Sequence, residues 1–149
     1  MKSTQLISTT KNIVLSILVT TVLFSLTSCA KKISFLTSSV VPAARGYVQV
    51  KSDSNKNYAI AIHLTDLAEV KRLQPAKQMY IVWMETSEEA TKNIGQIKSS
   101  TGFMSKQLKA SFETVSSLKP VKIFITAEDD ASIQYPGTQV VLSTDKFYK

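Results

Sequence analysis

The sequence has few of the residues that carry catalytic and metal chemistry. One cysteine and one histidine occur among 149 residues, so a zinc site built from Cys and His ligands is not predicted. A single cysteine leaves no disulfide framework within the chain. With only four glycines, the sequence contains no G-x-G-x-x-G or G-x-x-x-x-G-K-[ST] loop, and nucleotide binding is not predicted.

The same scarcity argues against an enzyme. The one histidine, His63, shares a face of its predicted strand with Ala59 and Ala61. Serine and aspartate are plentiful, but no G-x-S-x-G elbow occurs and the chain is short for a hydrolase of that kind. We therefore predict no catalytic residue, no metal site and no cofactor.

Positive charge is in mild excess and is spread along the chain. The formal net charge is +7, and it would be +5 without Lys2 and Lys11. No element combines clustered Lys and Arg with interleaved aromatics, so nucleic-acid binding is not predicted. A solubilising surface is favoured, with weak attraction to an anionic membrane or glycan as the alternative.

Residues 1–28 have the pattern of an export signal. Lys2 and Lys11 supply its positive region. The apolar run Ile13–Leu26 is 14 residues long, which is short of the about 20 residues of a membrane-spanning helix. An ordinary secretory signal or a single-pass anchor is the alternative interpretation.

The apolar run ends in the sequence LTSC, which resembles the lipobox of bacterial lipoproteins. The resemblance implies a recognition sequence of Leu26, Thr27 and Ser28, cleavage before Cys29, and lipid attachment to the Cys29 thiol. Several acyl chains on one cysteine would hold a domain at a membrane. By the same resemblance, Ala30 after the cysteine implies the outer membrane, facing the periplasm.

Three segments follow from these patterns: a lipoprotein signal peptide at 1–28, a lipidated tether at 29–45 and a folded domain at 46–149. The tether mixes Ser, Thr, Ala and Pro with two lysines. Within it, Phe35–Val41 is open to a second interpretation as an edge strand. No internal repeat and no second domain is apparent.

The folded segment has a period-two pattern. At 58–64, large apolar residues alternate with Ala, Ala and His, whereas MYIVWM at 79–84 is apolar throughout. The second pattern predicts a central strand covered on both faces, with Tyr80 and Trp83 in the core. Turn sequences separate seven or eight short strands, which predicts a single antiparallel, Ig-like β-sandwich. One helical turn is predicted at Asp66–Leu73, with Asp66 as its cap.

Two acidic motifs are predicted to be turns. DSNKN at 53–57 matches the first half of a calcium loop, but Tyr58 and Leu64 stand where that loop needs Gly and Glu. We interpret it as a hairpin turn. EDD at 128–130 is predicted to be a solvated turn rather than part of a metal site.

From about residue 70 to 145, the order of motifs resembles the extracytoplasmic β-sandwich of anti-sigma-K-type factors. The motifs include LQPAKQMYIVW, NIGQI, VKIFITAEDD and YPGTQVVLST. The matching positions are Pro75, Ala76, Tyr80, Trp83, Gly95, Thr126, Glu128, Pro136, Gly137, Val140 and Leu142. Because these are core and turn positions, the resemblance implies fold rather than function. Those factors place a sigma-binding domain and a membrane helix before the module, so the closer resemblance is to small lipoproteins made of the module alone.

Together these patterns predict a non-catalytic lipoprotein of the cell envelope, anchored through Cys29, that binds a partner or gives structural support. One alternative is an envelope sensor or regulatory module related to the anti-sigma sandwiches, with an envelope protein as partner. Another is a carbohydrate-binding module that uses exposed aromatics such as Tyr47, Tyr58 or Tyr135.

Overall fold

Two antiparallel sheets face each other across one core in the computed structural model, which describes residues 30–97, 100–101 and 108–148. The first sheet has the strand order β1-β2-β3-β7-β6 and the second has the order β5-β4-β8-β9. The strands are β1 (Lys31–Ser34), β2 (Arg45–Ser52), β3 (Tyr58–Thr65), β4 (Met79–Thr86), β5 (Thr91–Ile97), β6 (Ser100–Thr101), β7 (Leu108–Ser116), β8 (Pro120–Glu128) and β9 (Val140–Ser143). The predicted antiparallel β-sandwich is confirmed.

The core forms because alternate side chains of each strand point to the same face. Ile60, Ile62 and Leu64 of β3 are buried, and β2 buries Val48 and Val50 in the same alternating way. Across the gap, the second sheet contributes Tyr80, Val82, Met84, Ile123 and Ile125 to the same apolar cluster. Tyr80 donates a hydrogen bond through its hydroxyl to the carbonyl oxygen of Ala68 at 2.8 Å.

The second sheet is covered on its outer side as well. Ile81, Trp83 and Phe124 are buried there in a separate cluster, against which Met79 and Ile133 pack. Ile133 belongs to the 129–139 connection, so this loop is the outer cover of β4. The prediction of a central strand with both faces covered is confirmed, as is the core position of Trp83.

The structure corrects the predicted tether at 29–45, because the chain is part of the fold from Lys31 onward. β1 pairs with β2, and the next residue, Phe35, forms a bridge with Thr144 beyond β9. Farther along, Val41 is buried in the core. This segment therefore joins the edge strand of one sheet to the edge strand of the other.

This segment folds onto the sandwich because it contains apolar side chains that become buried there. Ile33 and Phe35 pack against the core cluster, and burying such side chains stabilises the fold. Of the two interpretations left open for Phe35–Val41, neither holds as stated. The strand lies earlier, at Lys31–Ser34, and the loop that follows is fixed by the N–H of Leu36, which donates to Ser143 O at 2.8 Å.

The predicted helical turn at Asp66–Leu73 is corrected to a shorter 3-10 turn over Val70–Arg72. Its N-cap residue is Glu69, which makes no side-chain capping bond. Asp66 has a φ of 57° and donates its N–H to Leu108 O, so it ends β3 instead of starting a helix. Over the described ranges, no helix is long and apolar enough to cross a membrane.

Candidate functional site

The predicted lipid-attachment residue, Cys29, and the lipobox residues Leu26, Thr27 and Ser28 lie outside the described residues. The first described residue, Ala30, is exposed, and β1 starts at the next residue. The predicted leader would therefore join the fold at one end of the edge strand of the first sheet.

Backbone pairing shows which end of the sandwich the start of β1 belongs to. Lys31 pairs with Val50, close to the 53–57 hairpin turn. The ammonium group of Lys31 donates a hydrogen bond to Phe147 O and lies 4.5 Å from the centroid of the Tyr148 ring. The start and the end of the described chain therefore lie together at this end, and we name it the leader end.

A wide groove lies on the outer face of the first sheet, and we name it the His63 groove. Its volume is about 710 Å³. The side chains on its lining come from four strands and are Lys32, Ser34, Arg45, Tyr47, His63, Thr65, Lys109 and Ser111. Because the alternate residues of these strands fill the core, those of the groove point away from it.

Strand register arranges the groove residues in rows across the sheet. Ser34 pairs with Tyr47, Tyr47 with His63, and His63 with Ser111, which gives one row of four polar side chains. With about 4.8 Å between strands, this row is about 14 Å long. A second row, Arg45–Thr65–Lys109, follows two residues farther from the leader end.

The groove is positively charged. Lys32, Arg45 and Lys109 line it, and none of its described lining residues is Asp or Glu. None of the three forms an ion pair with a described acidic residue. In the low-dielectric shelter of a groove, uncompensated charges of one sign attract a ligand of the opposite sign.

The Arg45 side chain is held in place by its own loop. Its Nη1 atom donates to the carbonyl oxygens of Pro42 at 2.6 Å and Ala44 at 2.8 Å. Its Nε and Nη2 groups make no hydrogen bond to a described residue, and the residue lines the groove. Such a fixed guanidinium favours carboxylate and phosphate groups, which accept paired hydrogen bonds.

Two side chains of the groove lie against the Tyr47 ring. The Lys32 ammonium lies 3.8 Å from its centroid, and the His63 ring lies 5.1 Å from it at an interplanar angle of 41°. Of the other predicted sugar-stacking residues, Tyr58 packs against the core and Tyr135 is 83% exposed. Tyr135 is therefore the one ring of the three that stands open, and it lies outside the groove.

The sequence placed His63 beside small residues but did not reveal its charged neighbours. Lys32, Arg45 and Lys109 are far apart along the chain and meet only because β1, β2, β3 and β7 are neighbours. The alternation of residues along each strand could have shown that these three cations face outward. It could not have shown that they are neighbours, because that requires the strand order, which the sequence pattern does not give.

The predicted hairpin turn at DSNKN is confirmed. One carboxylate oxygen of Asp53 accepts hydrogen bonds from the N–H groups of Asn55 and Asn57, both at 2.8 Å, and the other accepts one from Asn57 Nδ2 at 3.0 Å. The carboxylate is thus occupied by the turn itself.

We expect acid to weaken this turn. The hydrogen bond from the Asn57 side chain, followed by the backbone N–H groups of Asn57 and Asn55, lowers the pKa of Asp53. A lowered pKa means that the carboxylate stabilises the fold above its ordinary pKa of about 3.9, and that this contribution is lost as pH falls through the lower folded value.

The measurement is urea unfolding of the wild type and Asp53→Asn between about pH 6 and about pH 2. The wild type should be the more stable protein at the upper pH, and the difference should shrink toward the lower one. A difference that stays constant over this range would contradict the role of the carboxylate.

The EDD motif is only partly a solvated turn, so that prediction is corrected at its first residue. Glu128 is 7% exposed and accepts the N–H of Gly137 at 2.8 Å. Asp129 pairs with Lys77 at 2.6 Å, which leaves Asp130 to accept bonds from Ser132. The three carboxylates thus have separate partners, and the described residues contain no group of three His, Cys, Asp or Glu side chains placed to hold a metal.

Compared with known proteins, the chain matches no family model, no curated protein and no solved structure. The resemblances to lipoproteins and to anti-sigma sandwiches therefore stay predictions from the sequence.

Proposed function

We propose that this protein is a lipid-anchored binding module of the cell envelope, held to a membrane through acylated Cys29. The observation that carries the proposal is the short distance, in sequence, between the lipobox cysteine and the first strand. Only Ala30 separates Cys29 from β1. An acylated Cys29 would therefore hold the leader end of the sandwich close to the membrane surface.

This arrangement leaves the His63 groove accessible. Lys31 is level with Val50 in the sheet, and the groove rows are level with Tyr47 and Arg45. At about 3.4 Å per residue, the rows lie about 10 Å and about 17 Å farther along the strands. The groove would thus open sideways above the membrane, where an envelope component can reach it.

Binding rather than catalysis is supported by the side chains of the groove. General acid–base chemistry needs a titratable group oriented by a partner. The imidazole of His63 makes no hydrogen bond to a described residue, and the described lining supplies no carboxylate to orient it. Cations and hydroxyl groups without such a pair suit recognition of a ligand.

We expect Cys29→Ser to abolish acylation, since the thiol is the group that would take the lipid. Cells that express the full chain would be fed a clickable fatty acid, and the protein would be captured and scored for label. Ser28→Ala is the matched control, because it keeps a small residue before the cysteine and should be labelled like the wild type. Equal labelling of wild type and Cys29→Ser would overturn the anchor.

A further inference from the structure

The outer face of the first sheet presents a row of hydrogen-bonding groups between charged residues. The row Ser34–Tyr47–His63–Ser111 has Arg45 and Lys109 on one side, and on the other it has Lys32, with Glu113 at the far end of the same row as Lys32. A complementary ligand has hydroxyl groups and anionic groups along one chain. On the protein, the charges and the hydrogen-bonding groups all belong to side chains, because the strand backbones under them are already paired with one another.

We propose that the His63 groove binds an acidic oligosaccharide, with its carboxylates at Lys32, Arg45 and Lys109 and its hydroxyl groups at the row of His63. The inference rests on the proposed role as a binding module, and it names the class of ligand. It does not depend on the acyl anchor.

The charge of the groove selects an anion. Three cationic side chains line it without a described acidic partner. Glu113, on the same face, pairs in register with Ala61 and lies outside the lining. A neutral sugar would leave these charges unmatched, and Lys32 covers a face of the Tyr47 ring on which such a sugar could otherwise stack.

The geometry of the groove favours a saccharide over an acidic peptide. A peptide that adds to a sheet uses the unpaired N–H and C=O groups of an edge strand. The centre of the groove lies over β2 and β3, each of which has a hydrogen-bonded neighbour on both sides. What remains is a row of four hydroxyl or imidazole groups about 14 Å long, which can both donate to and accept from sugar hydroxyls.

The test uses the full chain in a non-ionic detergent and three ligands of six units each. These are the hexamer of galacturonic acid, uncharged maltohexaose and hexaglutamate. Isothermal titration calorimetry gives each dissociation constant. We expect the galacturonate hexamer to bind most tightly, with an affinity that falls as salt is raised because the charges are screened.

Variants locate the site. Lys32→Gln combined with Lys109→Gln should weaken galacturonate binding by about tenfold or more. Lys71→Gln combined with Lys92→Gln is the matched control, since it removes the same charge from exposed residues outside the groove, and it should change the affinity by less than about twofold. Thermal unfolding of both double variants confirms that they are folded.

A third variant separates the two classes of ligand. Ser111→Ala removes a hydroxyl group from the row of His63 without changing charge, so it should weaken the galacturonate hexamer but not hexaglutamate. Absence of galacturonate binding, equal loss in the control pair, or tighter binding of hexaglutamate would each overturn the proposal. These measurements need no acyl chain, so a negative result would not affect the proposal that Cys29 is acylated. Failed labelling of Cys29 would likewise not affect the proposal that the His63 groove binds an acidic oligosaccharide.

Discussion

Trp83→Ala should lower the free energy of unfolding by about 3–5 kcal/mol, the range for removing a fully buried aromatic side chain. Trp83 is completely buried and stacks on Phe124, with 6.3 Å between ring centroids and 14° between ring planes. Its Nε1 donates to Thr126 Oγ1 at 2.8 Å. The substitution would open a cavity under the 129–139 loop and leave a buried hydroxyl group without its donor.

The measurement is equilibrium unfolding in urea, followed by circular dichroism. Trp83→Phe is the matched control, since it keeps a ring between β4 and the loop and removes the indole N–H. We expect it to cost less than half as much as Trp83→Ala. Similar losses for the two variants would contradict the role of ring volume, and a loss below about 1 kcal/mol for Trp83→Ala would contradict the covered outer face of β4.

Gly46→Ala should cost about 3 kcal/mol or more, which is at the upper end of what overpacking does. A Cβ atom on Gly46 would stand 2.2 Å from the carbonyl oxygen of His63 and 2.5 Å from Cδ2 of Leu64. A backbone oxygen cannot turn aside as a flexible side chain does. β2 and β3 would have to separate at this position, where Gly46 and Leu64 are paired.

Because the new Cβ atom would collide with the carbonyl oxygen of His63, the substitution should also shift His63 in the groove. Gln49→Ala is the control on the same strand, since its side chain lies on the outer face, and it should change stability by less than about 0.5 kcal/mol. Urea unfolding compares the two variants, and chemical shifts of the His63 ring report on the groove. A Gly46→Ala protein as stable as the wild type would contradict the close approach of these strands.

Most of the fold could be predicted from the sequence because alternation is a local property. Ile60, Ile62 and Leu64 are recognisable as the buried face of a strand without knowledge of their neighbours. The same holds for the turn at Asp53, where the hydrogen bonds join residues at most four apart. Such features depend on a few consecutive residues, so a local sequence pattern is enough to predict them.

Features that depend on distant partners were predicted less well. Residues 31–45 look like a tether by composition, but their contacts with distant segments, among them the bridge from Phe35 to Thr144, show that they close one side of the sandwich. Glu128 looks solvated by its place at a strand end, and the loop that returns Gly137 to it buries it. In both cases, a segment far along the chain decides the environment.

The sequence by itself indicated most of the strands and their buried faces, and it predicts the candidate acylation site at Cys29, since each follows from a short run of residues. The tertiary structure alone decided the His63 groove, because Lys32, Arg45 and Lys109 become neighbours only through the strand order β1-β2-β3-β7. Strand order is set by which faces and edges pair over the whole chain, and no local pattern encodes it.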